Sequence, residues 1–220
     1  MTRPVRPVEI EIPGPAGPIE ALLEEPESVK PDAFAVICHP HPLYHGTMKN
    51  KVVHTVARAA NHIERPAIRF NFRGVGRSAG QYDNGDGETA DLMAVVGWGR
   101  ENWPDAQLWL AGFSFGSFIA LKAASAARPK RLVLIAPPVI KFAVSAQTSP
   151  QCPWMVIQGQ DDELVDCDAV AEWARKQRPR PDILLMPDTD HFFHGRLRLL
   201  KEAVREFLTE GELTGGESKP

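Results

Sequence analysis

Residues 107–127, QLWLAGFSFGSFIALKAASAA, constrain this chain more than any other stretch. An apolar run of strand length leads straight into Ser114, which has a glycine two positions to either side. A helical run begins at the next residue and continues through 115–127. A strand that hands over to a helix through one residue must bend sharply, and side chains two positions before and after the bend would collide, hence Gly112 and Gly116. The helix start then turns free N–H groups and the positive end of its dipole toward any oxygen held beside the serine. This pattern predicts an exposed nucleophile at the carboxyl edge of a sheet.

The G-x-S-x-G pattern occurs twice, and a chain of this length with Gly and Ser each at roughly 7% matches it by chance about once in fifteen. Context separates the two. The second match, GRSAG, puts Ser78 inside RGVGRSAGQYDNGDGE, a stretch too rich in Gly, Asn and Asp to open a helix. Ser78 reads as a loop residue and Ser114 as the nucleophile.

The rest of the chain alternates short apolar runs with longer helical ones. Strands are expected at 8–12, 19–25, 34–38, 67–72, 107–112, 131–136, 154–159 and 182–187, with helices at 49–62, 91–100, 115–127, 168–177 and 196–209. PGPAGP between the first two strands marks a hairpin or short loop. The class is α/β: a mostly parallel sheet of about eight strands, helices on both faces and an antiparallel N-terminal edge. One domain over 1–210 and a frayed tail at 211–220 are expected. Residues 137–153 leave room for one short helix around 139–146 but not for a cap domain.

Composition narrows the function. At 43% hydrophobic and 24% charged residues the chain is ordinary for a globular protein. Its net charge is -3 and its 25 Lys and Arg are dispersed, so nucleic acid is not expected as a partner. Three cysteines without CxxC spacing argue against a disulfide framework or a thiolate zinc site. No run approaches the roughly 20 apolar residues of a membrane span, and the N-terminus lacks a signal-peptide core. A cytoplasmic location is the expectation, and no signature of an oligomeric state is visible.

A serine hydroxyl attacks only when a neighbouring base takes its proton. After an elbow serine the order is Asp or Glu, then His. Two histidines lie downstream of Ser114. His191 follows the strand 182–187 after a short loop, the place for a base; His194, beside Gly195, suits capping or solvent contact. The acid belongs on QDDELVD after the strand 154–159, where Asp162 competes with Asp161, and Asp166 lies further off. One oxyanion donor would be the Phe115 amide. The other belongs to HPHPLYHGT, after the strand 34–38. Proline has no N–H, so the His41 amide is favoured, with Leu43 as the alternative. His39 and His41 stand two apart on an extended segment and point to opposite faces, poor geometry for chelation. No metal and no cofactor are expected.

These segments together resemble the α/β-hydrolase superfamily, nearest to its small bacterial members of the dienelactone-hydrolase and carboxylesterase kind. The marks are HPHPLYHGTMKNKVV, RFNFRGVGRSAG, GFSFG, GQDDELV and DHFF, spread over nearly the whole chain. A Gly-x-x-Asp-x-x-Val segment often carries the acid there, which implies Gly159, Asp162 and Val165, and the last-strand histidine implies His191. Dienelactone hydrolases carry cysteine at the elbow, so their substrate is not implied here. HPHP also replaces the more familiar His-Gly start of the oxyanion loop.

The expectation is a lidless serine hydrolase that cleaves an ester, thioester or amide bond of a small acyl substrate through Ser114, His191 and Asp162. Tyr44, Phe142 and Phe193 are candidate lining residues. Passing the acyl group to an alcohol or amine would use the same machinery, making an acyltransferase. A non-catalytic binding protein retaining the fold, and a metal-dependent hydrolase, are the competing classes.

Overall fold

The computed structural model describes residues 5–27, 30–142 and 150–210. The tail expected at 211–220 lies outside them. So does much of the short helix expected around 139–146, whose described part, 139–142, is turn.

The hairpin β1 (Val8–Gly14) and β2 (Gly17–Glu24) is followed by β3 (Ala33–Cys38), α1 (Lys51–His62) and β4 (Ala67–Phe70). Then come α2 (Asp86–Asn102), β5 (Gln107–Phe113), α3 (Phe115–Ala127) and β6 (Arg131–Ile135). The chain closes with β7 (Trp154–Gly159), α4 (Cys167–Lys176), β8 (Asp182–Met186) and α5 (Leu197–Thr209). The strands form one eight-stranded sheet in the order β1-β2-β4-β3-β5-β6-β7-β8. Pairing is antiparallel from β1 to β2 and from β2 to β4, and parallel across the rest. Fold class and antiparallel edge are as the alternation predicted.

The central strands are apolar throughout because both faces are covered. Phe34, Val36 and Cys38 of β3, with Leu108 and Leu110 of β5, face the core shared with α2, α3 and α4. Ala33, Ala35 and Ile37, with Trp109, Ala111 and Phe113, face the core under α1 and α5. This two-residue alternation decides to which side each residue beyond the strand ends is delivered.

Caps set the helix starts. Asn50 accepts from the Val52 N–H at 2.8 Å to open α1, and Asp166 accepts from the Ala169 N–H at 2.7 Å to open α4. The start of α2 departs from expectation: it opens at Asp86, inside the Gly/Asn/Asp stretch read as unable to start a helix. The buried Glu88 carboxylate makes this possible, accepting from the N–H groups of Gly85 (2.7 Å) and Asp83 (2.9 Å), while Gly85 takes φ +98°.

Candidate active site

Ser114 stands between β5 and α3 with φ 54° and ψ -120°, a conformation that costs a non-glycine residue on the order of 1–3 kcal/mol. The surroundings enforce it. The Ser114 N–H donates to the Ile135 carbonyl at 2.8 Å. The buried Ser117 hydroxyl lies 2.6 Å from the Gly112 carbonyl and accepts from the Ile135 N–H at 3.0 Å. A Cβ on Gly112 would sit 2.1 Å from the Gly116 carbonyl oxygen; one on Gly116 would sit 2.4 Å from that of Cys38. Both glycines are therefore steric requirements, and the second lets the elbow press against the end of β3.

Asp162 and His191 are brought together from the loops after β7 and β8. His191 Nδ1 lies 2.8 Å from Asp162 Oδ2, with both side chains almost wholly buried. The carboxylate is saturated: Oδ1 accepts from the N–H groups of Leu164 (2.9 Å) and Val165 (2.8 Å), and Oδ2 also accepts from Gln158 Nε2 at 2.9 Å. Burial alone would raise this carboxyl. The hydrogen bond from His191, its charge and the two backbone N–H groups outweigh that and hold Asp162 below the ordinary value. The Gly-x-x-Asp-x-x-Val spacing acquires physical sense, since a Cβ at Gly159 would meet the Thr189 carbonyl oxygen at 2.3 Å. The loops bearing the two side chains touch there.

The competing acid Asp161 is exposed, its N–H bound to the Thr189 carbonyl at 3.0 Å, and Asp166 is the α4 cap. His194 is exposed and pairs with Asp190 at 2.6 Å. The His191 ring instead lies against Phe113, centroids 5.0 Å apart, and Phe113 is the residue immediately before Ser114.

On the other flank, Phe115 is the first residue of α3, so its N–H has no acceptor within the helix. The His41 ring packs on the Phe115 ring, centroids 4.7 Å apart. His41 Nδ1 accepts from the Leu43 N–H at 3.2 Å, so the proton of the neutral ring is on Nε2, 3.3 Å from the Tyr82 hydroxyl oxygen. The His41 carbonyl accepts from the N–H groups of Tyr44 (3.1 Å) and Gly46 (3.0 Å). Among the hydrogen bonds of the described residues, none is donated by the His41 N–H. The alternative donor, Leu43, spends its N–H on the His41 ring. Burial, then the charge of Lys141, lowers the His41 pKa, which favours the neutral ring.

The histidines of this loop do not converge. His39 is turned into the core, and among the described residues no group of three His, Cys, Asp or Glu side chains is placed to hold a metal ion.

Of the candidate lining residues, Tyr44 is exposed, and Phe142 is partly buried and stacked on Phe118 at 4.5 Å. Phe193 requires correction: at 0% exposure it belongs to the core under α1 and α5. Its neighbour Phe192, 41% exposed and edge-on to His191 at 5.2 Å, takes the surface position. Ser78 is structural. Its buried hydroxyl accepts from the Glu20 N–H at 3.0 Å and donates to the Asn71 carbonyl at 2.7 Å, tying the glycine-rich loop to β2.

Comparison with known proteins meets this geometry. A family model described as alpha/beta hydrolase fold matches residues 43–149. A lidless α/β serine hydrolase from Xanthomonas campestris is 41% identical and superposes with a TM-score of 0.88, over 94% of this chain and 96% of that one. The chain belongs to the α/β-hydrolase superfamily. This hydrolase falls among the lidless bacterial serine hydrolases. A homologue from Coxiella burnetii is 40% identical, with a TM-score of 0.87 over 94% and 98% of the two chains. An uncharacterized protein of Rickettsia prowazekii is 35% identical over 207 residues, 89% of this hydrolase and 86% of the relative. No described helix is long and apolar enough to cross a membrane.

Proposed function

We propose that this hydrolase cleaves a carboxylic ester, or a thioester or amide, of a small acyl substrate through a Ser114–His191–Asp162 triad. One observation carries the reading: a buried His–Asp pair at 2.8 Å packs on the residue preceding a serine held at positive φ. Asp162 accepts a hydrogen bond from the His191 Nδ1–H, which fixes the proton on Nδ1 and leaves the Nε2 lone pair as the base. Ser114 Oγ attacks the carbonyl carbon as its proton passes to Nε2. The carbonyl oxygen takes up the negative charge between the N–H groups of Phe115 and His41, near the positive end of α3. The imidazolium returns the proton to the leaving oxygen, sulfur or nitrogen. Water, deprotonated by the same imidazole, then clears the acyl-enzyme. Residues 136–153, between β6 and β7, are too few for a cap, which favours a substrate reached from open solvent beside Tyr44, Phe142 and Phe192.

Labelling by a fluorophosphonate, together with hydrolysis of a graded series of nitrophenyl and thio esters, tests the assignment. Ser114→Ala should abolish both, and Ser78→Ala should keep labelling while losing stability. A wild-type protein that takes no label would refute the triad and favour a binding protein.

A further inference from the structure

His39 is fully buried and has no part in the steps above. Its Nε2 accepts from the Phe72 N–H at 3.0 Å, so the neutral ring carries its proton on Nδ1. That nitrogen lies 2.6 Å from the Pro40 carbonyl oxygen and must donate to it. The Phe72 ring, centroid 4.6 Å away, packs against the imidazole.

The Pro40 carbonyl and the His41 N–H are the two ends of one peptide unit. It is trans, since the sole cis peptide among the described residues is Arg178–Pro179. In a trans unit C=O and N–H point in opposite directions within one plane. Holding the oxygen toward the core therefore aims the hydrogen outward. Gly46 closes the unit from another side: a Cβ there would lie 2.0 Å from the Pro40 oxygen. A carbonyl that accepts a strong hydrogen bond also polarises its own peptide, making the N–H a better donor.

We propose that His39 is a positioning residue for the oxyanion site, clamping the Pro40–His41 peptide plane through Nδ1–H so that the His41 N–H meets the developing oxyanion. The inference rests on the reading of His41 as an oxyanion donor. It also gives the loop after β3 a support anchored beyond β4, at Phe72.

Two substitutions separate the halves of the clamp. The amide nitrogen of His39→Asn reaches the Nδ1 position and keeps the bond to Pro40 while giving up Phe72. His39→Gln places its amide at the Nε2 position and does the reverse. A trifluoromethyl ketone reports the oxyanion directly. Ser114 Oγ adds to its carbonyl carbon, the serine proton passes to His191, and the hemiketal oxygen is left negative. We expect His39→Gln to lose about 10–100-fold in kcat with KM within about twofold, and to lose ketone affinity in parallel; full loss of one donor costs about 10²–10³. His39→Asn should stay within about threefold of wild type in both. Equal losses in the two variants, or no loss in His39→Gln, would overturn the proposal. In the wild type, 15N NMR should find His39 as the Nδ1–H tautomer, and an Nε2–H tautomer would overturn it without any variant. A wild-type protein that hydrolyses esters but leaves the ketone unbound would instead refute the oxyanion assignment, and this clamp with it.

Discussion

At the scale of single residues, the acid position carries the sharpest contrast. Asp161 and Asp162 are adjacent and chemically identical, yet only Asp162 has both oxygens engaged in a buried network with His191. In Asp162→Asn the amide can present N–H to the Nδ1 side, stabilising the wrong imidazole tautomer. We predict a fall in kcat of about 10⁴, the size of the effect when a triad aspartate is replaced by asparagine and the imidazole is held in the wrong tautomer. Asp161→Asn should stay within about twofold, and steady-state kinetics on one nitrophenyl ester decides between them. The sharp turn at Ser114 and the pairing of Asp162 with His191 were legible because motif, loop order and chain order restrict them to a few positions. Gln158, His39, Tyr82 and Phe192 were not. Gln158 matters only because the turn brings Asp162 back onto it at 2.9 Å, and the His39 partner Phe72 lies on a different strand connection. Misplacing the lining aromatic had a similar origin: neighbouring phenylalanines in DHFF look alike until Phe193, at φ 57°, is seen to turn inward.

At the scale of elements, glycines divide into those that cannot change and those that should. Gly116→Ala would force a methyl group against the Cys38 and His39 carbonyl oxygens at 2.4 and 2.6 Å, both of them backbone. Neither strand nor helix can yield without moving Ser114, so a loss of about 3 kcal/mol or more is expected in urea unfolding. Gly97, inside α2, has open space where a Cβ would stand. Gly97→Ala should raise stability by about 0.5–1 kcal/mol in the same assay, through helix propensity and a more restricted unfolded chain. Element type was readable where apolar runs are sharply bounded: α3, which starts at the elbow, and β7, which runs from just after Pro153 to Gly159, have the bounds their sequences suggest. Edges failed where tertiary partners intervene. The strand expected through residue 72 ends at Phe70: the Ser78 hydroxyl comes between Asn71 and β2, accepting from the Glu20 N–H and donating to the Asn71 carbonyl, and the Phe72 N–H goes to the His39 ring. The strand expected through 136 stops at Ile135, where Ala136 turns to φ 48°.

At the scale of the whole molecule, burial of neutral imidazole makes stability depend on pH. Desolvation, partly opposed by the bond to Pro40, lowers the His39 pKa from 6.5 to about 4. As pH falls below 6.5 the unfolded chain takes up a proton that the folded protein refuses until about pH 4. The contribution is thus complete above pH 6.5, declines through that window and is exhausted below it. For one group the loss is on the order of 3 kcal/mol. Asp162, held below its ordinary value, adds a loss of the same sign as pH drops further, through its folded pKa. Urea midpoints measured from pH 7 to pH 4 should fall steadily for the wild type and less steeply for His39→Asn. An equal slope in both would show that the ring is not the titrating group.

Every loop that carries a site residue leaves the carboxyl ends of the parallel strands, while the turns entering β5 and β6 lie at the other end of the sheet. Lys130, exposed in the turn between α3 and β6, is an attachment point on that far side. A protein tethered to a bead there would hold its mouth toward the liquid, and a short peptide spliced into the same turn would lengthen the chain without narrowing the approach to Ser114.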